Sequence, residues 1–86
     1  MMNGPQAAQA AKQQLMDLTG HPADSVSAMR RDDDGWAITV ELVELKRIPE
    51  SSDLLATYEA SVNDEGILMT YQRTRRYQRH QVMEAG

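Results

Sequence analysis

Cysteine and phenylalanine are both absent from this chain of 86 residues, tryptophan occurs once and tyrosine three times. Without cysteine there is no disulfide framework, no thiolate metal ligand and no cysteine nucleophile. With so few rings the core must be aliphatic, and a chain this short buries only about 60–65% of the surface its unfolded form exposes. One domain at most fits in that length. Its stability is expected to be small, which brings a partner, or a homodimer, into the expectation. No run approaches the roughly 18–20 apolar residues that span a bilayer. Lys12 follows the Ala/Gln stretch, whereas a secretory leader carries its charge first and a Leu-rich segment after it. These absences predict a soluble cytoplasmic protein without a membrane segment.

Charge is segregated along the chain. The formal net charge is −4, which opposes general affinity for nucleic acid or an anionic membrane. Asp32 to Glu65 holds ten acids (Asp32, Asp33, Asp34, Glu41, Glu44, Glu50, Asp53, Glu59, Asp64, Glu65) against Lys46 and Arg47. Gln72 to His80 then carries Arg73, Arg75, Arg76 and Arg79 with no acid. Such a pattern reads as pairing within a sheet, as a basic edge for an acidic partner, or as a solvated charged face.

The periodicity places these charges on elements. Residues 1–19 predict a helix, with Asn3-Gly4-Pro5 as its start and Ala7, Ala8, Ala11, Leu15 and Leu18 as a narrow apolar stripe. Thr19-Gly20-His21-Pro22 stops it, because glycine suits a left-handed C-terminal position and proline cannot continue a helix. Val26–Arg31 predicts a first strand, and Asp32–Gly35 a hairpin turn. Trp36–Ile48 predicts a long second strand with Trp36, Ile38, Val40 and Leu42 on one face. The alternation slips after Leu42, which predicts a β-bulge near Leu42-Val43. Leu54–Val62 and Ile67–Arg79 predict a second hairpin about Asn63-Asp-Glu-Gly66. Its expected register sets Tyr58 opposite Tyr71, Ala60 opposite Met69 and Val62 opposite Ile67. In that register Arg73, Arg75 and Arg79 share a face and Arg76 points the other way, leaving Arg75, Arg76 and Arg79 free for a partner. The expected fold is α+β, an N-terminal helix packed on a bent four-stranded antiparallel β-meander. Residues 1–24 supply the helix and its exit loop, 25–80 the sheet, and 81–86 a flexible tail, with a single domain over 6–80.

Little in the chain carries catalytic chemistry. The acids at 32–34 lack the spaced oxygens and closing bidentate Glu of a calcium loop. His21 and His80 show neither metal-ligand nor triad spacing. The glycines are isolated, so no phosphate-cradling loop is present. Glu41, Glu44 and Glu59 could share a sheet face and raise one another's pKa, although ion pairing with the arginines is the simpler reading. No metal site, cofactor or catalytic residue is predicted. The Arg/Tyr segment QRTRRYQRH resembles a weak single-stranded nucleic-acid groove, and a docking strand for an acidic protein suits it better. A ligand-binding or enzymatic α+β domain with a pocket between helix and sheet, lined by Glu44 and Tyr58, is the alternative.

The stretch DGWAITVELVELKRIPESSDLLATYEASVNDEGILMTYQRTRRYQR is similar, through nearly its whole length, to the pattern of the gas vesicle protein O family. The resemblance rests on Gly35-Trp36, Glu41 and Glu44, Arg47-Ile48-Pro49, and Asp53 through Tyr58 and Glu59. It continues in Asp64 and Gly66, and closes on Tyr71, Arg73, Arg76, Tyr77 and Arg79. It implies a non-enzymatic, cofactor-free, cytoplasmic accessory factor for building gas vesicles. The partners it implies are other gas vesicle proteins, among them the AAA-type ATPase gas vesicle protein N and the wall proteins. Within that frame Arg73, Arg75, Arg76, Tyr77 and Arg79 are the expected partner-binding residues.

Overall fold

A computed structural model describes residues 2–80; the tail expected over 81–86 lies outside the described residues. One helix, α1 (Gly4–Thr19), precedes four strands, β1 (Ala23–Asp32), β2 (Gly35–Leu45), β3 (Leu54–Asn63) and β4 (Leu68–Gln78). A short 3-10 turn at Glu50–Ser52 lies between β2 and β3. The strands form a single antiparallel sheet in the order β1-β2-β3-β4. The fold is therefore the α+β meander that the periodicity predicts.

The helix starts where its local chemistry says it should. Asn3 caps it, its Oδ1 accepting from Gln6 N while Gln6 Oε1 accepts from Asn3 N, and Pro5 stands in the first turn. This reciprocal arrangement satisfies two donors that a helix start otherwise leaves unpaired. Gly20 ends the helix at φ 75°, its N–H donating to Met16 O. Ala7, Ala8, Ala11 and Leu15 face the sheet and are buried, whereas Leu18 is exposed rather than part of the stripe. On the facing strands Ile38, Val40, Leu42, Ala56, Tyr58, Ala60 and Val62 complete the core. Trp36 lies at the rim of this layer, half-buried against the core, with Nε1 donating to Met2 O at 3.1 Å.

Four details differ from the expected register. The turn of the first hairpin is Asp33-Asp34 alone, because Asp32 pairs with Gly35. Gly35 is thus not a turn glycine: a Cβ there would meet Val62 O at 1.9 Å, so the residue is required by close backbone approach. The bulge in β2 falls between Val43 and Leu45, about one residue beyond the place predicted. The largest difference is in the second hairpin, where Tyr58 pairs with Arg73, Ala60 with Tyr71 and Val62 with Leu68. Asn63 Oδ1 accepts from both Glu65 N and Ile67 N, which widens the turn, and an irregularity between Ser61 and Val62 takes up Met69. Leu68 therefore packs on the core, while Ile67 and Met69 are exposed.

Candidate functional site

The same irregularities sort the arginines of β4. A second register shift, between Thr57 and Tyr58, leaves Thr74 as the extra residue and reverses the alternation beyond it. Arg73, opposite Tyr58, and Arg76, opposite Ala56, consequently lie on the helix side, and Arg75 and Tyr77 on the other. The predicted grouping of Arg73 with Arg75 is corrected by that one bulge. On the helix side Glu44 accepts from Arg73 Nη1 at 3.2 Å and pairs with Arg76 Nε at 2.9 Å. Tyr58 OH lies 3.4 Å from the same carboxylate. Burial, and next the Glu44 charge, push the Tyr58 phenol above its ordinary range.

Glu41 occupies the opposite, helix-free face. Glu41 and Glu59 share this face through their pairs with Thr57 and Thr39, whereas Glu44 does not, so the three glutamates form no cluster. Only 9% exposed, Glu41 accepts from three hydroxyls. They are Ser27 Oγ at 2.7 Å, Thr57 Oγ1 at 2.6 Å and Tyr77 OH at 2.6 Å. These donors come from β1, β3 and β4, so one carboxylate on β2 ties all four strands together. Burial, followed by the hydrogen bond to Glu41, pushes the Tyr77 phenol up to about 12.

Arg79, just beyond β4, reaches Asp24 of β1 at 2.9 Å and Asp53 at 3.3 Å. Neighbouring strands lie about 4.8 Å apart, so first and fourth strands of a flat sheet would be about 14 Å apart. A single guanidinium links both edges here because the sheet coils at this end. Asp53, 1% exposed, also accepts from Arg47 N at 2.8 Å. The Arg47 N–H, with the Arg79 guanidinium second, holds its carboxyl below the usual carboxylate range. Arg76 and Arg79, expected to be free for a partner, are thus both engaged inside the domain. Arg75 makes no ion pair among the described residues; its guanidinium carbon lies 4.4 Å from the centroid of the Tyr77 ring.

Two cavities open on the helix-free face. One, of about 420 Å³, is lined by Asp24, Ser27, Glu41, Thr57, Arg75, Tyr77 and Arg79 among others. The second, of about 520 Å³, is a trough with Ala28, Ala37, Thr39, Ser61 and Thr70 along its floor and Arg30, Glu59 and Gln72 beside them. The pocket expected between helix and sheet is not built from Glu44 and Tyr58, which face Arg73 and Arg76. Sequence reasoning missed Asp24, Ser27 and Thr57 as members of the site. Among the described residues no group of three or more histidines and acids could hold a metal ion, and no helix is long and apolar enough to cross a membrane.

The phenol of Tyr77 offers a direct check of this geometry. Its folded pKa lies above the ordinary 10.0. Its contribution to stability is therefore present below about pH 10 and lost as the pH rises through about 12. A spectroscopic titration should show one tyrosine resisting ionisation to about pH 12, and that step should vanish in Tyr77→Phe. A step unchanged in the variant would assign it elsewhere.

Taken together, the fold and site define a small α+β protein whose chemistry-bearing side chains are spent on cross-strand pairing around an open sheet face. The chain belongs to the gas vesicle synthesis protein GvpO family, whose model matches residues 1–83. It is 48% identical over 66 residues to gas vesicle protein O of Streptomyces sp. (strain CB03234), covering 77% of this chain and 52% of that protein. It is 28% identical over 74 residues to gas vesicle protein O1 of Halobacterium salinarum, covering 86% of this chain and 62% of that protein. The chain thus spans only about half to three-fifths of these relatives' length. No solved structure matches it.

Proposed function

We propose that this chain is a non-enzymatic accessory protein of gas vesicle formation that works by binding other proteins of the assembly. The docking surface in this reading is the helix-free face of the sheet together with the adjoining edge strand β4. The observation that carries it is the uncovered trough across all four strands, which no element of the described residues packs against. A sheet face that spends its interior carboxylate on hydroxyls and keeps small residues along its floor presents a flat, preformed platform rather than a reaction centre. The edge of β4 adds backbone groups open to pairing by another chain. The family supports the setting, and other gas vesicle proteins are the partners it suggests: the AAA-type ATPase gas vesicle protein N, the wall proteins or a second copy. On this reading the protein acts in the cytoplasm, at the growing vesicle.

The test is to fill the trough. Thr39→Arg with Ser61→Arg places two long charged side chains on the floor while leaving the helix-side core untouched. In a host carrying the vesicle gene cluster without its own copy, the double variant should melt like wild type yet give few or no vesicles. Normal vesicle numbers from a folded double variant would overturn the proposal.

A further inference from the structure

We infer that Arg75 is the anchor of this face and takes a carboxylate side chain from an acidic segment of the partner; the inference rests on the docking role proposed above. Of the four arginines near the β4 edge, three have acidic company within the domain. Arg73 and Arg76 flank Glu44, whose side chain is only 8% exposed, and Arg79 lies between Asp24 and Asp53. Arg75 has none among the described residues and instead stacks on Tyr77.

Stacking leaves a guanidinium fully able to bind an anion. Its N–H bonds lie in the guanidinium plane and are not consumed by contact through the face. They form a planar fork that matches the two oxygens of a carboxylate. The platform is also fixed in advance. Tyr77 is pinned by its hydroxyl to Glu41, which Ser27 and Thr57 hold from two other strands. A partner carboxylate therefore meets a guanidinium already oriented, and little side-chain freedom is lost on binding. Arg75 forms part of the wall of the 420 Å³ cavity, which gives an incoming acidic side chain room beside Tyr77.

The occupant is an acidic protein segment and not a nucleic acid. Asp24 and Glu41 line the same cavity and Glu59 lies farther along the face. A polyanion with a charge on every unit would bring many charges against these acids, whereas a single carboxylate at Arg75 brings only one. Tyr77 is the positioning residue: it touches Arg75 and sets its orientation.

An end-blocked peptide with a single glutamate among glycines and serines and a uridine hexamer serve as probes, titrated into isotope-labelled protein while the arginine side-chain N–H signals are followed. The Arg75 signal should move saturably with the glutamate peptide, and Arg75→Lys, which keeps the charge and loses the fork, should weaken binding about tenfold. Arg73→Lys should change it less than twofold. Tyr77→Leu, checked for folding by its melt, should weaken binding while Arg75 is still present. If Arg73 and Arg76 move and Arg75 does not, or if Arg75→Lys binds like wild type, the anchor assignment is wrong. Equal or tighter binding of the uridine hexamer would overturn the acidic occupant. Should Arg75→Lys bind the glutamate peptide normally while the trough-filled Thr39→Arg/Ser61→Arg variant forms no vesicles, the docking face stands and only the anchor falls.

Discussion

Leu15→Ala is expected to cost about 2–5 kcal/mol and to loosen α1 from the sheet before the sheet itself unfolds. The reason lies in the composition of the helix's buried stripe. Ala7, Ala8 and Ala11 bring the helix close to the strands, and each contributes only one methyl group to the core. Leu15, fully buried, is the single large apolar side chain that α1 buries completely. A helix of this length is marginal on its own in water, so tertiary burial must hold it. Small domains have about 5–15 kcal/mol of stability in all, and the loss of a few is a large share. Denaturant melts should show the full loss, and hydrogen exchange should show α1 amides opening at lower free energy than those of β2 and β3. A variant that lost less than about 1 kcal/mol with α1 still protected would mean that the caps at Asn3 and Gly20, not Leu15, hold the helix in place.

Much of this architecture is legible in the residues because local and tertiary signals agree. Asn3, Pro5 and Gly20 mark the helix ends through backbone requirements that hold in any context. The alternation of Ile38, Val40 and Leu42 fixes which face of β2 meets the helix, and no neighbour overrides it. The second hairpin was not readable to the residue. Its register depends on where two extra residues, Met69 and Thr74, are accommodated, and bulge positions follow from twist and turn geometry rather than from polarity. The wider turn and the slip at Met69 each move the register by one, so the partners of Tyr58 and Ala60 change by two positions and Tyr71 keeps its face although its partner changes. Tyr58 and Tyr71 accordingly remain neighbours on a diagonal, with ring centroids 6.4 Å apart.

The site was less legible than the fold for a related reason. Arginine at four of seven positions gives no sign of which side chains meet acids, since the answer turns on the parity reversal at Thr74 and on the coil of the sheet. Glu41 was legible as a carboxylate to be paired with arginines, not as an acceptor for three hydroxyls. Its burial follows from Tyr77 crossing above β3 to reach it, a contact between strands that are not neighbours. Asp53 was part of the resemblance without a physical role. The structure supplies one, because its carboxylate joins the Arg47 backbone to the Arg79 side chain and so ties the loop between β2 and β3 to the end of β4.

Glu41→Ala is expected to be the most damaging change on the helix-free face, and it separates the structural role of the carboxylate from the docking role of its neighbours. Hydrogen bonds to a charged group contribute about 1.5–3 kcal/mol each. Glu41 accepts three, at 2.6–2.7 Å. Water entering the 420 Å³ cavity will solvate some of the abandoned hydroxyls, and the cost of burying a charge is relieved. A net loss of roughly 3 kcal/mol is the reasonable balance. Because the donors come from three other strands, the loss should appear as weakened protection at the Ala23 end of β1 and the Gln78 end of β4. The Tyr77 phenol should titrate below the value of about 12 that it has beside Glu41, though still above its ordinary range, since burial is the larger cause of its shift. Glu41→Gln, which keeps an acceptor oxygen and drops the charge, should lie between the alanine variant and wild type in stability. If Glu41→Ala melts like wild type and leaves the Tyr77 titration in place, the three hydroxyls are not held by this carboxylate, and the end of the sheet must be closed by the Arg79–Asp24 pair instead.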